Sequence, residues 1–397
     1  MLIVNYSLFI IHYLLLVLLI IFTVILSYFA TTARGLEEIS AQELIKLGAM
    51  EVKPEFAGVY FKGDRTLLYK VNLWARTIFR VLQPIQTVRS HNPEQLYHNI
   101  RSIDWSEYLQ PDQTLAIRCT GKNSRLNNSH VTAIQIKNAI VDRQQQKHGV
   151  RSNIDTIEPD IVINAHIHEN NCILSLDSTG ESLHRRGYRT AMGFAPLKET
   201  LAAALLYMTQ WNPDIPLVDP FCGSGTIILE AALMGLNIAP GLHRPKFCFQ
   251  NWQDYDASLW ESLVTEARNS QRKHLPIIVG TDADKDVIKQ AQSNAKACQI
   301  FHQVKFEKKS LADVTAPTES GIVLCNPPYG KRISDVESLF PLYKLLGDVL
   351  KQNFQGWTAY ILTGSKELTK KVGLRTSSRT SIDNGGIPCT LLKYDLY

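Results

Sequence analysis

No Cys-x-x-Cys pair occurs in this sequence, and its seven cysteines, Cys119, Cys172, Cys222, Cys248, Cys298, Cys325 and Cys389, lie scattered along the chain. An odd number cannot all pair internally, and zinc-ligand spacing is missing, so the reading is a reducing compartment with no structural metal. Gly-Lys-Ser/Thr is absent after every glycine turn, which excludes a P-loop, and G-x-G-x-x-G is absent too, which excludes the dinucleotide fingerprint. Asp282, Asp284 and Asp286 imitate the start of a calcium loop. The glycine position holds Val287, however, and no Glu closes the loop. No charged residue precedes Arg34, so the N-terminus lacks the basic region of a signal peptide.

What the N-terminus does have is a nearly continuous apolar run from Leu8 to Leu26, broken by His12, Tyr13 and Thr23. At about 19 residues it is long enough to span a bilayer. Two readings of residues 1–27 stand side by side: a membrane anchor on an otherwise cytoplasmic protein, or a start codon placed too far upstream. The polar pattern of a folded domain begins at Tyr28 without a linker.

The 397 residues, 45% hydrophobic and 20% charged, are enough for two or three domains. The net charge of +5 is modest but unevenly spread. Residues 60–151 hold fourteen Lys/Arg against six Asp/Glu, and the remainder is slightly acidic. Such a block suits a polyanion such as nucleic acid, or a well-solvated surface; charge alone does not choose.

Tyr28 to about Val88 reads as a small α+β unit, with strand-like Gly58 to Phe61 beside helical Gly35 to Leu47. The basic block follows, closing on the alternating strand Ile161 to Ile167 and a second strand, Cys172 to Leu176. His166 and His168 share a face there without a third ligand nearby, and read as surface or packing residues. After Pro196, short apolar strands alternate with helices, which predicts a doubly wound, mostly parallel α/β sheet with its ligand beyond the carboxyl ends of the strands. Asn384-Gly385-Gly386 between two strand-like runs predicts a closing hairpin.

Three segments carry chemistry. Val218 to Thr226 is an apolar strand ending in Asp219, then a glycine turn, Gly223-Ser224-Gly225, into a helix; glycine lets a backbone pass close to a ligand. Gly280-Thr281-Asp282 puts a carboxylate at the next strand tip, where it can accept both hydroxyls of a ribose. The long gap between Asp219 and Asp282 makes residues 237–275 an insertion rich in aromatics: Phe247, Phe249, Trp252 and Trp260. Asn326-Pro327-Pro328-Tyr329-Gly330 follows a third strand. The Asn326 amide oxygen and the Pro327 carbonyl can both accept from an amino group, while Tyr329 stacks on a base. Fixed acceptors align an exocyclic amine for in-line attack and stabilise positive charge as it develops on nitrogen. Cys222 and Cys325 flank the same region, but this acceptor arrangement points to an amine target rather than covalent thiol catalysis.

These residues resemble the THUMP-bearing class I RNA methyltransferases, most closely the guanine-N2 methyltransferases of large-subunit ribosomal RNA in their single-methyltransferase form. The resemblance runs from about Tyr28 to the C-terminus. It rests on Ala30 to Glu38, Phe61 to Asp64, Leu183 to Arg189, Ala195 to Ala203, Ala239 to Arg244 and the two motifs above. It implies a Rossmann-like methyltransferase domain at 185–397, preceded by a ferredoxin-like part at 28–66 and a THUMP domain at 67–178 that grips RNA. It implies S-adenosylmethionine as cofactor, contacted by Asp219, Pro220, Cys222, Gly223, Gly225, Asp282, Ala283, Ser310, Leu311, Asn326 and Thr200. Catalytic contacts fall to Asn326, Pro327, Pro328 and Tyr329, and RNA contacts to Arg101, Arg118, Lys122, Arg125, Lys137, Arg186 and Arg189. One departure stands out: where such enzymes often carry an acid to hold the adenine amine, this chain reads Lys308-Lys309-Ser310-Leu311. Some relatives fuse a second methyltransferase domain behind the first, so a chain ending at Tyr397 is expected to make one modification.

The alternatives are a tRNA guanine-N2 methyltransferase, an N6-adenine DNA methyltransferase, a protein glutamine methyltransferase, and an RNA-binding protein with a decayed cofactor site. The DNA and protein enzymes leave the basic domain unexplained, and the last conflicts with the intact Asp219, Gly223, Gly225, Asp282 and Asn326.

Overall fold

The computed structural model describes residues 24–189, 197–330 and 333–397. Within them the chain builds two seven-stranded sheets.

The first sheet contains β1 (Leu26–Thr31), β2 (Met50–Glu55), β3 (Gly58–Gly63), β4 (Arg80–Arg89), β5 (Leu115–Lys122), β6 (Ile161–His168) and β7 (Asn171–Asp177), in the order β2-β3-β1-β4-β7-β6-β5. The ten-residue β4 joins the two halves, pairing with β1 on one side and β7 on the other. Its register shifts between Pro84 and Gln86, where a proline without an N–H cannot serve the ladder. The one parallel pair here, β5 with β6, needs a long crossover. Helix Ser129–His148 supplies it, started by the Asn128 side chain accepting from His130 and Val131 N–H and stopped by Gly149 in the left-handed region.

The second sheet contains β8 (Leu217–Asp219), β9 (Ile278–Asp282), β10 (Lys305–Lys308), β11 (Ile322–Cys325), β12 (Thr358–Thr363), β13 (Ser378–Asn384) and β14 (Ile387–Asp395), in the order β10-β9-β8-β11-β12-β14-β13. β8 to β12 are parallel, and β14 runs antiparallel to both β12 and β13. The predicted hairpin is present. Gly385 and Gly386, with φ of 65° and 89°, form the two-residue turn with positive φ that matches strand twist. From β8 the chain winds one way to β9 and β10, then returns to β11 and β12 on the other side. The reversal leaves a crevice between β8 and β11 at their carboxyl ends.

The insertion at 237–275 fastens the halves together. Phe247, Phe249 and Trp252 join the core of the first sheet. Phe249 stacks on Tyr69 with ring centroids 4.4 Å apart and meets the edge of Trp260 at 5.2 Å.

The membrane association expected of the Leu8–Leu26 run is corrected here. No helix among the described residues is long and apolar enough to cross a membrane. The end of the run is strand: Leu26 opens β1, opposite Gly63. Residues 1–23, the greater part of the run, lie outside the described residues.

Candidate active site

The carboxyl ends of β8, β9 and β11 lie side by side, and each presents one of the three segments singled out in the sequence. Cys222 N–H donates to the Thr281 carbonyl at 3.0 Å, and Gly223 N–H donates to Asp282 Oδ2 at 3.1 Å. Asp282 Oδ1 accepts from Asp284 N–H at 3.0 Å, so the carboxylate is fixed while remaining partly exposed. Ala283 beside it is exposed, and Lys309 N–H donates to the Asp282 carbonyl at 3.0 Å, bringing the exposed Ser310 and the buried Leu311 to the same rim.

The two glycines of the turn do different work. A Cβ on Gly223 would meet nothing within 4 Å, so that face is open, whereas one on Gly225 would sit 2.9 Å from the Phe306 ring. Gly225, with φ of 89°, is therefore a packing glycine that starts helix Thr226–Gly235, and Gly223 borders the space a ligand would fill.

Asp219 is 1% exposed and accepts from Phe221 N–H at 3.0 Å. Burial pushes its carboxyl up to about 8, the backbone hydrogen bond opposes the rise, and the charge of Asp282 adds to it. Pro220 and Cys222 are buried beside it. Burial raises the Cys222 and Cys325 thiols well above their ordinary value, which removes the thiolate that covalent catalysis would need.

At the end of β11, Asn326 Oδ1 is buried and has no hydrogen-bond partner among the described residues. Buried polar atoms are nearly always satisfied, so an orphaned acceptor in this loop marks a place for a donor. Pro327 is buried and Pro328 exposed. Tyr329 is half-buried, its hydroxyl accepting from Asn384 Nδ2 at 3.0 Å. Thr200, at the start of helix Glu199–Met208, is 1% exposed, and its hydroxyl also has no partner among the described residues.

The cations separate into two groups. Lys122, the last residue of β5, and Arg125 just beyond it are exposed, and Lys137 is half-buried on the following helix. Arg101 reaches Gln146 at 3.4 Å, and Arg118 donates to Asp177 at 3.1 Å and to the Gly180 carbonyl at 2.7 Å. Two expected RNA contacts are corrected. Arg186 is 1% exposed, paired with Glu230 at 3.3 Å and donating to the carbonyls of Leu183 and Arg76, so it braces the interface between the two halves. Arg189 has a 12% exposed side chain, bonded to Glu199 at 2.9 Å and to the Thr226 hydroxyl at 3.1 Å. It ties two helix starts together beside the glycine turn.

Asn384 went unnoticed in the sequence except as part of a turn. Nothing local could have linked it to a tyrosine 55 positions earlier.

Three family models match the chain: an RMKL-like methyltransferase domain at residues 186–393, a THUMP domain at 90–177 and an RlmL ferredoxin-like domain at 27–82. A Synechocystis sp. protein assigned as an RNA methyltransferase is 59% identical over 371 residues, covering 93% of this chain and 97% of that one. The ribosomal RNA large subunit methyltransferase K/L of Syntrophotalea carbinolica is 39% identical over 383 residues, covering 94% of this chain and 54% of its own. The chain thus spans about half the length of the K/L relatives it matches. A solved structure of a protein assigned as a methyltransferase, complexed with SAH, is 30% identical with a TM-score of 0.85, covering 94% of this chain and 98% of the other.

Proposed function

The chain belongs to the RMKL-like methyltransferase family, and from that membership we propose that it transfers a methyl group from S-adenosylmethionine to the exocyclic N2 amine of a guanine in 23S ribosomal RNA. The observation that carries the amine target is the buried, unpartnered Oδ1 of Asn326, on the loop that also carries Tyr329. The named activity of the K/L relatives and the THUMP domain ahead of the site support RNA as the substrate.

The residues fit the cofactor. Gly223 borders open space, Asp282 offers carboxylate oxygens for ribose hydroxyls, and the carboxyl ends of β8 and β9 form its bed. When bound, S-adenosylmethionine supplies an electrophilic methyl group. The chain's own residues do the rest. Asn326 Oδ1 and the Pro327 carbonyl accept the two N–H groups of the target amine and fix the direction of its lone pair. The same acceptors hold the amine more tightly as its nitrogen gains positive charge, which is selective stabilisation of the transition state. Tyr329 supports the face of the base. The methylated amine is a strong acid at that stage and loses its proton without a dedicated base.

Mass spectrometry of digested ribosomal and transfer RNA from a deletion strain tests the assignment. Loss of one N2-methylguanosine from 23S RNA is the expected result. Loss from transfer RNA with 23S RNA intact would instead favour the tRNA reading, and no change in either would reject guanine-N2 methylation.

A further inference from the structure

Phe56 occupies the two-residue turn between β2 and β3 and is 77% exposed. An isolated exposed aromatic needs no explanation, but this one is built into a small frame. The Arg34 guanidinium lies over its ring, 4.6 Å from the centroid. Glu37 clamps the two loops that carry the pair, its oxygens accepting from Gly35 N–H at 2.7 Å and from Ala57 N–H at 3.1 Å. Thr32 N–H adds a bond to the Ala57 carbonyl at 3.0 Å. Among the described residues Arg34 makes no ion pair, so its exposed guanidinium rests against the Phe56 ring with its charge unneutralised.

The frame abuts the catalytic loop's support. The Arg34 carbonyl accepts from Asp383 N–H at 3.3 Å, and Gly35 lies against the Ser381 carbonyl. The neighbour of Asp383 is Asn384, which holds the Tyr329 hydroxyl. Leu36, 1% exposed, shares a core with Ile382 and Cys389 of the same hairpin.

We propose that Arg34 and Phe56 form a nucleotide platform at the mouth of the site, on which an unpaired RNA nucleotide near the target stacks against Phe56 while Arg34 takes its phosphate. The chemistry selects single-stranded RNA: an exposed aromatic face accepts any base, and an unneutralised guanidinium beside it can take the adjoining phosphate. The platform deepens the RNA reading given above and rests on it. It also gives the ferredoxin-like unit a reason to sit on the β13–β14 hairpin, because a nucleotide held at Phe56 positions its neighbour towards Tyr329.

Fluorescence anisotropy with an end-labelled single-stranded oligouridylate, and with duplex RNA of equal length, tests the platform on the full chain. Phe56→Ala should weaken oligouridylate binding roughly tenfold, within the range for losing one stacked base, with unchanged salt dependence and unchanged duplex affinity. Phe56→Trp should restore it. Arg34→Ala should weaken binding and reduce the salt slope by about 0.7, the loss of one phosphate contact on a single strand. Calorimetric affinity for S-adenosylmethionine should stay the same throughout, which excludes a folding defect. If wild type binds oligouridylate and Phe56→Ala binds it equally, the platform is wrong and the RNA reading stands. A wild type that binds neither RNA overturns both.

Discussion

Asn384 Nδ2 donates to the Tyr329 hydroxyl at 3.0 Å, so the tip of the last hairpin holds the ring that ends the Asn-Pro-Pro-Tyr segment. The ring is confined from a second side by Gly364, where an added Cβ would lie 3.1 Å from its edge. A stacking surface fixed at hydroxyl and edge presents one orientation to a base. The β13–β14 hairpin is therefore part of the site as well as the end of the sheet.

Replacing Asn384 with Ala removes the hydrogen bond that anchors the Tyr329 hydroxyl and loosens the ring, and the expected outcome is a fall in methyl-transfer turnover of about tenfold with little change in cofactor affinity. Asn384→Asp, which can still bond the hydroxyl by accepting from it, should recover part of the loss. Steady-state kinetics for the three proteins check this; equal turnover in all three would reduce Asn384 to a turn residue.

The buried pair of Arg186 with Glu230 has side chains 1% and 0% exposed, and Tyr188 donates to Glu230 as well. Removing one member strands a charge in a dry interface, so Arg186→Met should cost about 3–5 kcal/mol. The double substitution with Glu230→Met should cost less than the two singles together. Urea denaturation measures both, and RNA affinity of the folded single variant should remain normal, in contrast to a residue that touches RNA.

Asp219 gives a pH signature. Its folded-state value of about 8 lies above the ordinary value of 3.8, so between these limits the folded protein keeps a proton that the unfolded chain has released. Stability contributed by the neutral form is complete at low pH and declines as pH rises through the window, at up to about 1.4 kcal/mol per pH unit. Asp219→Asn removes that decline. The melting temperature of the cofactor-free variant, compared with wild type, should rise progressively from about pH 4 to about pH 8 and then level off; a constant difference would mean that Asp219 does not titrate there.

Much of the site was legible because its parts are local: a strand, then a turn, then residues whose chemistry does not depend on distant partners. Asp219 and Asp282 end β8 and β9, Asn326 directly follows β11, and the parallel order brings those ends together. Arg186 failed for the opposite reason. In sequence it is one of several cations around Gly187, and only the fold sets it against Glu230, 44 positions away. The apolar run to Leu26 carries no mark of where it ends in the fold: its last residue, Leu26, opens the inner strand β1, paired on both sides. Phe56 carried no signal, and Arg34 entered only within the Ala30 to Glu38 stretch of the resemblance, since their joint meaning comes from two loops clamped by one carboxylate.

The amine-acceptor role of Asn326 separates rate from binding. Its Oδ1 has no partner among the described residues, so replacing the side chain breaks no hydrogen bond of that atom there, and stability should change little. In the reaction, the same oxygen is worth most when the amine nitrogen carries positive charge. Asn326→Ala should therefore lower single-turnover methyl transfer by roughly a hundredfold or more while RNA and cofactor affinities stay within a few-fold of wild type. Asn326→Asp keeps an acceptor and should retain more activity than Ala, although a full charge at this place changes the electrostatics of the amine. Charge reversal at the exposed Lys122 or Arg125 should do the reverse: weaker RNA binding, a shallower salt dependence and near-normal transfer at saturating RNA. Rapid-quench assays with saturating cofactor distinguish the cases, and a normal rate with lost RNA affinity in Asn326→Ala would move this loop from the chemistry to the grip on RNA.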